Sequence, residues 1–151
     1  MKNRIVKMMV LFLVGFVVYG LIELIYRGKT YPLMAVCGGV AILILDQINN
    51  KISWDVDLLL QGVIGSFVIT SMEFIIGELS LHNILPAMWN YSNMPMNYKG
   101  IVCLPFSIIW IFLSIFGIFL ADAMNYYVLG EKDVVPYYRL FGKKIIVFKE
   151  K

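Results

Sequence analysis

The stretch Gly100–Ala121 reads GIVCLPFSIIWIFLSIFGIFLA and contains no charged side chain. A helix rises about 1.5 Å per residue, so roughly 20 apolar residues cross a ~30 Å hydrocarbon core. This stretch meets that length unaided. Working outward from it, Met8–Ile22, Thr30–Leu45 and Leu58–Met72 are also free of charge. Each reaches spanning length once single acidic or amide residues at its ends are added. The sequence therefore predicts helices at Arg4–Tyr26, Tyr31–Asn50, Val56–Leu79 and Ile101–Asn125. Pro32 stands in the first turn of the second helix, where its missing N–H costs nothing.

Composition agrees. Of 151 residues 60% are apolar and 15% charged, with a mean hydropathy of +0.80; soluble domains average about 45–50% and about 25%. A soluble chain of this size has too little interior to hide so much apolar surface. An ordinary soluble enzyme, a disordered tail and a disulfide scaffold are excluded. The expected fold class is an all-α integral membrane protein, a four-helix transmembrane bundle over residues 1–125 followed by a basic tail over 126–151. No enzymatic activity is expected.

Lys2, Arg4 and Lys7 ahead of the first span resemble a signal-peptide n-region. The apolar run outlasts an h-region and no small-x-small cleavage site follows, so an uncleaved anchor is expected. Basic residues accumulate on the cytoplasmic side of membrane proteins. One side collects Lys2, Arg4, Lys7, Lys51, Lys132, Arg139, Lys143, Lys144, Lys149 and Lys151, the other only Arg27, Lys29 and Lys99. Both termini should be cytoplasmic, in a multi-pass protein of the plasma (inner) membrane.

The tail Val134–Lys151, VVPYYRLFGKKIIVFKEK, holds two β-prone runs, Tyr137–Phe141 and Ile145–Phe148, around Gly142–Lys143–Lys144. A short hairpin and a membrane-surface segment both fit. Lysines beside aromatic rings there favour anionic lipid as partner over nucleic acid.

Polar residues within spans normally face the bundle interior, because ionised groups at the bilayer centre are costly. On the third span Gly62, Ser66, Thr70, Glu73 and Gly77 form one stripe. On the fourth, Ser107, Trp110, Ser114, Gly117, Ala121 and Asn125 do the same, and on the second Ala35, Gly39, Asp46 and Asn49. Small residues let helices approach closely. Gly39, Gly62, Ser66, Thr70, Gly77, Ser114 and Gly117 are the expected packing positions, whatever the function.

By depth the charged groups fall into two sets. Glu23, Arg27 and Glu73 lie toward the outer face, beneath a loop carrying Trp89, Tyr91 and Asn97. Arg27 can pair with Glu23 at i, i+4 or with Glu73 across the bundle. One reading is an outward-facing polar pocket of Glu23, Arg27, Glu73, Trp89, Tyr91 and Asn97; the other is an ion-pair clamp between helices. Toward the inner ends lie Asp46, Gln47, Asn49, Gln61, Asp122 and Asn125, read either as a partner-docking set or as caps of helix ends.

Other chemistry is sparse. His82 is the one histidine, so neither a metal site nor another cofactor is expected. Glu78 and His82, at i, i+4, form a weak proton-shuttle pattern. Cys37 and Cys103 fall in the same halves of their spans, and pairing between them is a question of geometry. No P-loop is present, so an ATPase would have to be a separate subunit.

The combination Tyr19-Gly-Leu-Ile-Glu23, Tyr26-Arg27-Gly28, Gly38-Gly39, Gln61, Thr70-Ser-Met-Glu73-Phe74, Trp89-Asn-Tyr91-Ser92, Pro95, Asn97, Gly100, Cys103, Ser107 and Trp110 resembles the putative ABC-transporter type IV family. These are small bacterial membrane proteins related to an animal multispan transmembrane family. The resemblance runs from about Tyr19 to Asp122, with a further echo in Gly130–Leu140. The chain departs from the family pattern in three places. Thr30-Tyr31-Pro32-Leu33-Met34 stands where T-H-x-S-M is familiar, Asn90 replaces an Asp, and Ile101 replaces a Gln. The resemblance implies a permease-like subunit acting beside a separate ATPase. A four-span chain would then oligomerise or join a larger complex. The competing expectations are a non-transporting accessory or scaffold protein and, less well matched to the polar outer loop, a phage-type holin.

Overall fold

The computed structural model describes residues 4–149; Lys2 and Lys151, counted above for orientation, lie outside the described residues. Four helices are long and apolar enough to cross a membrane: α1 (Arg4–Arg27), α2 (Pro32–Lys51), α3 (Leu58–Leu81) and α4 (Leu104–Ala123). A π-helical turn, Met124–Val128, prolongs α4. The protein is a multi-pass membrane protein, and its chain also forms a short C-terminal β-hairpin.

Local chemistry sets the boundaries. Gly28 adopts φ +70° just past α1, the left-handed conformation that ends helices cheaply in glycine. Tyr31 is extended and Pro32 opens α2. Asp57 caps α3, its carboxylate accepting from the Leu59 N–H at 3.0 Å, which satisfies one of the free amides of the first turn. The fourth helix starts at Leu104 and not at Ile101, because residues Val102–Cys103 (β2) pair antiparallel with Asn97–Tyr98 (β1). Its far end passes the expected Asn125 through the π turn, closed by Leu129 N–H donating to the Met124 carbonyl at 2.8 Å.

α1 packs along α2 and α3 along α4, and α2 meets α4 to join the two pairs. Close approach depends on side-chain-free positions. A Cβ on Gly39 would strike the Phe12 ring, and one on Gly38 the Tyr19 side chain. A Cβ on Gly62 would come within 2.9 Å of the Ile111 carbonyl, and one on Gly77 within 2.5 Å of Ile101. Gly117 faces Leu45. Ser66 donates to the Ser107 carbonyl at 2.6 Å and Thr70 lies 3.1 Å from the Ser107 hydroxyl. Ser114 is fully buried, and a Cβ on Gly65 would lie 2.5 Å from it. Large apolar side chains such as Leu13, Val17, Phe67 and Phe112 remain exposed on the outside of the bundle, as lipid-facing positions should.

The tail is a hairpin of β3 (Tyr137–Leu140) and β4 (Lys143–Val147). Its turn is tighter than the Gly142–Lys144 segment expected. Phe141 and Gly142 both have positive φ, the two-residue geometry that matches strand twist, and Lys143 and Lys144 join β4. The hairpin packs on the α2–α3 connection. Trp54 meets the rings of Tyr137 and Tyr138 at 6.2 and 6.1 Å, the backbones of Asp57 and Arg139 form an isolated parallel β-bridge, and the Arg139 side chain pairs with Asp55 at 3.2 Å. Tyr138 and Phe148 share a core with Leu45, Ile48, Leu58, Ile118 and Tyr126. The bundle thus has a hairpin end and, opposite it, a loop end carrying residues 82–103.

Candidate functional site

Two adjoining cavities open in the bundle: one at the loop end between α1 and α4, and one between all four helices that runs from there toward the middle of the bundle. The larger, about 330 Å³, is lined by Tyr19, Glu23, Tyr26, Arg27, Trp89, Tyr91, Phe106 and Trp110 among others. The smaller, about 100 Å³, shares Tyr19, Trp89 and Trp110 and reaches Glu73. Both are walled mainly by apolar and aromatic side chains.

The two carboxylates are held differently. Glu23, 5% exposed, is ion-paired with Arg27 one turn along α1. It also accepts from the Thr30 hydroxyl at 2.7 Å. Arg27 donates in addition to the Met88 carbonyl at 3.1 Å, which ties α1 to the loop. Glu73, 6% exposed, accepts from the Tyr91 hydroxyl at 2.9 Å and from Trp110 Nε1 at 2.8 Å. No Lys or Arg pairs with Glu73 among the described residues. Of the two partners open to Arg27 in the sequence, the structure selects Glu23.

The loop is fastened from above. Trp89 Nε1 donates to the Ile101 carbonyl at 2.8 Å, and the Tyr91 ring stacks on Phe106 at 4.6 Å. Burial and then the Glu73 charge push the Tyr91 phenol far above its ordinary range, so it is a donor at any physiological pH. Asn97 is not brought to the cavity. It braces the loop instead, donating to the Met94 carbonyl at 2.8 Å and accepting from Gly100 N–H at 3.1 Å. Lys99 pairs with Glu78 at 2.6 Å. His82 Nδ1 sits 2.8 Å from the Glu78 carbonyl oxygen and not by its carboxylate, so the proton-shuttle pattern is not assembled. Cys37 and Cys103 are both free thiols.

Sequence reasoning missed several contributors. Thr30 lies beyond a glycine turn, and nothing local marks it as a partner of Glu23. Phe106 reads as an ordinary apolar residue. Trp110 was visible on the α4 stripe, but only the helix rotation shows its indole reaching Glu73.

The hairpin end carries a second polar network. Asp46 and Asn49 on α2 face Asp122 and Asn125 around the end of α4, a D-x-x-N pattern on each segment. The pairing is reciprocal: Asn125 donates to Asp46 at 2.5 Å and Asn49 to Asp122 at 2.7 Å. Lys7 adds ion pairs to Asp46 at 3.4 Å and to Glu131 at 2.9 Å. Tyr138 donates to Asp122 at 2.6 Å, and Gln61 donates to the Val56 carbonyl at 3.0 Å. Asp46, Asn49, Asp122 and Asn125 therefore cross-link segments and do not cap helix ends. Among the described residues no group of acidic, His and Cys side chains is arranged to hold a metal.

The model of a family described as Putative ABC-transporter type IV matches residues 27–137, well over half of the chain. The matched segment contains Arg27, Glu73, Trp89, Tyr91, Trp110 and, of the hairpin-end network, Asp46, Asn49, Asp122 and Asn125, while Lys7, Tyr19 and Glu23 precede it and Tyr138 follows it. No curated protein and no solved structure matches the chain.

Proposed function

Because the chain belongs to the Putative ABC-transporter type IV family, we propose that it is a permease-like membrane subunit working with a separate ATPase, and that its ligand occupies the loop-end cavity. One observation carries this reading. A volume of about 330 Å³, within the range of small-molecule sites, lies beside two buried carboxylates and a guanidinium. Its lining includes the exposed Tyr26 and Ile109, so it is an open cleft that a ligand can enter.

The Lys and Arg distribution orients the protein with both termini in the cytoplasm, so the cavity faces outward in a bacterial plasma membrane. The hairpin end is then the surface on which an ATPase would act, and self-association would supply the helices that a four-span subunit lacks. Anionic lipid is the expected neighbour of Lys143, Lys144 and Lys149; nucleic acid is not a partner, and no catalytic centre is assigned.

A scaffold role is the second reading, favoured by the internal satisfaction of every charged group in the cavity: Glu23 by Arg27, and Glu73 by Tyr91 and Trp110. Affinity purification in mild detergent separates the two. A stoichiometric ATP-hydrolysing partner, whose transport-linked activity is lost in an inserted and folded Glu73→Gln variant, supports the permease. A lone stable homodimer with no partner supports the scaffold.

A further inference from the structure

We infer that the loop-end cavity selects organic cations, ligands that carry a quaternary or protonated ammonium on an apolar body. This inference rests on the reading that the cavity is a ligand site and adds the chemical class of the ligand.

Charge is the first argument. The groups at the cavity are Glu23, Arg27 and Glu73. Arg27 is committed to Glu23 and to the Met88 carbonyl. Glu73 is held only by neutral donors, one on each oxygen. An indole N–H can only donate, and two donors on two oxygens are the hydrogen-bond pattern of a carboxylate. With Glu73 ionised the set carries one uncompensated negative charge, and a cation entering the cavity would balance it and favour that form.

The walls are the second argument. Tyr19, Tyr26, Trp89, Tyr91, Phe106 and Trp110 surround the larger cavity. Aromatic faces attract cations, by about 0.5–1 kcal/mol at exposed sites and about 2 or more when desolvated. Glu73 stands behind two of these rings. By accepting from the Tyr91 hydroxyl and the Trp110 N–H it draws the protons outward, leaving the ring faces more negative, as neighbouring hydrogen bonds polarise one another in low dielectric. Glu73 is thus a positioning and polarising residue, while the rings touch the ligand.

The third argument concerns anions. Most polar groups at the cavity already donate to protein acceptors: Arg27 to Glu23 and Met88, Tyr91 and Trp110 to Glu73, Trp89 to the Ile101 carbonyl. An anionic ligand would be left the Tyr19 and Tyr26 hydroxyls and the remaining Arg27 N–H groups as donors, and would meet the charge of an ionised Glu73.

Trp89 and Trp110 report from the cavity wall, and a Trp54→Phe background removes the third indole, which lies at the hairpin end. The full-length protein in lipid nanodiscs is titrated with benzyltrimethylammonium, with the neutral N,N-dimethylbenzamide and with benzenesulfonate, reading indole fluorescence. Saturable quenching by the cation at a Kd at least tenfold below that of the amide, with none by the sulfonate, is expected. Glu73→Gln should bring the cation to the level of the amide and leave the amide unchanged, which a merely structural role for Glu73 would not do. Arg27→Gln removes the one positive charge and should tighten cation binding several-fold, an opposite sign that serves if Glu73→Gln does not fold. Equal binding of amide or sulfonate, or a cation preference that survives Glu73→Gln, overturns the cation assignment while leaving a ligand cavity. No saturable quenching by any of the three overturns both the assignment and the ligand-cavity reading beneath it.

Discussion

Tyr138, at the centre of the C-terminal hairpin, donates a 2.6 Å hydrogen bond to Asp122 near the end of α4. The tyrosine is fully buried, and the same Asp122 oxygen also accepts from Asn49 on α2. One hydroxyl therefore connects the tail, the fourth helix and the second. The hairpin is held by this buried polar contact as well as by the rings of Trp54, Phe119 and Phe148 around it.

Tyr138→Phe keeps the ring and removes the donor. A hydrogen bond to a charged group contributes about 1.5–3 kcal/mol, so the variant should unfold at lower temperature and its tail should be cut faster by protease. Limited proteolysis followed by mass spectrometry checks this. Unchanged cleavage between residues 129 and 149 would show that the aromatic contacts alone hold the hairpin.

The same contact makes docking sensitive to alkali. Burial, and then the Asp122 charge, raise the Tyr138 phenol above its ordinary value of 10.0. The folded state thus favours the neutral phenol. Its contribution is fully present below about pH 10 and is lost as pH rises toward the elevated folded value. Thermal stability followed from pH 8 to pH 11 should fall only over the upper part of that range. Tyr91 is shifted in the same direction, so the difference between wild type and Tyr138→Phe isolates the hairpin's share.

The ion pair of Glu23 and Arg27 predicts a particular pattern of coupling. Removing one partner of a buried pair strands the other and costs about 3–5 kcal/mol, whereas removing both is far milder. Arg27→Gln and Glu23→Gln should each lower stability more than the double variant does, as measured by thermal melts in detergent. Additive losses would mean that the Thr30 and Met88 contacts, and not the pair, carry the stabilisation.

Two glycines provide a packing test. A Cβ at Gly62 would lie 2.9 Å from the Ile111 carbonyl and 2.7 Å from Ile115, whereas at Gly20 the nearest contact is Ala35 at 3.7 Å. Gly62→Ala should force α3 and α4 apart and cost about 1–3 kcal/mol. Gly20→Ala should be neutral or slightly stabilising, since alanine is the better helix former. Melting temperatures of the two variants, made in parallel, decide the matter.

The sequence by itself determined where the chain crosses the membrane. Span length and hydropathy are local properties, and stretches such as Leu104–Ala121 have few other ways to satisfy their backbone in lipid. It also located the small-residue seams and both candidate β-runs of the tail, because helical and strand periodicities are written in neighbouring positions. Tertiary structure alone decided the partners. Whether Arg27 turned to Glu23 or to Glu73 depended on the relative rotation of α1 and α3. Tyr91 and Trp110 reach Glu73 across 18 and 37 positions of sequence, and Lys7 reaches Glu131 across 124. Such contacts are made by side chains a few ångströms long, so their geometry depends on how whole helices are placed, which no short window of sequence contains.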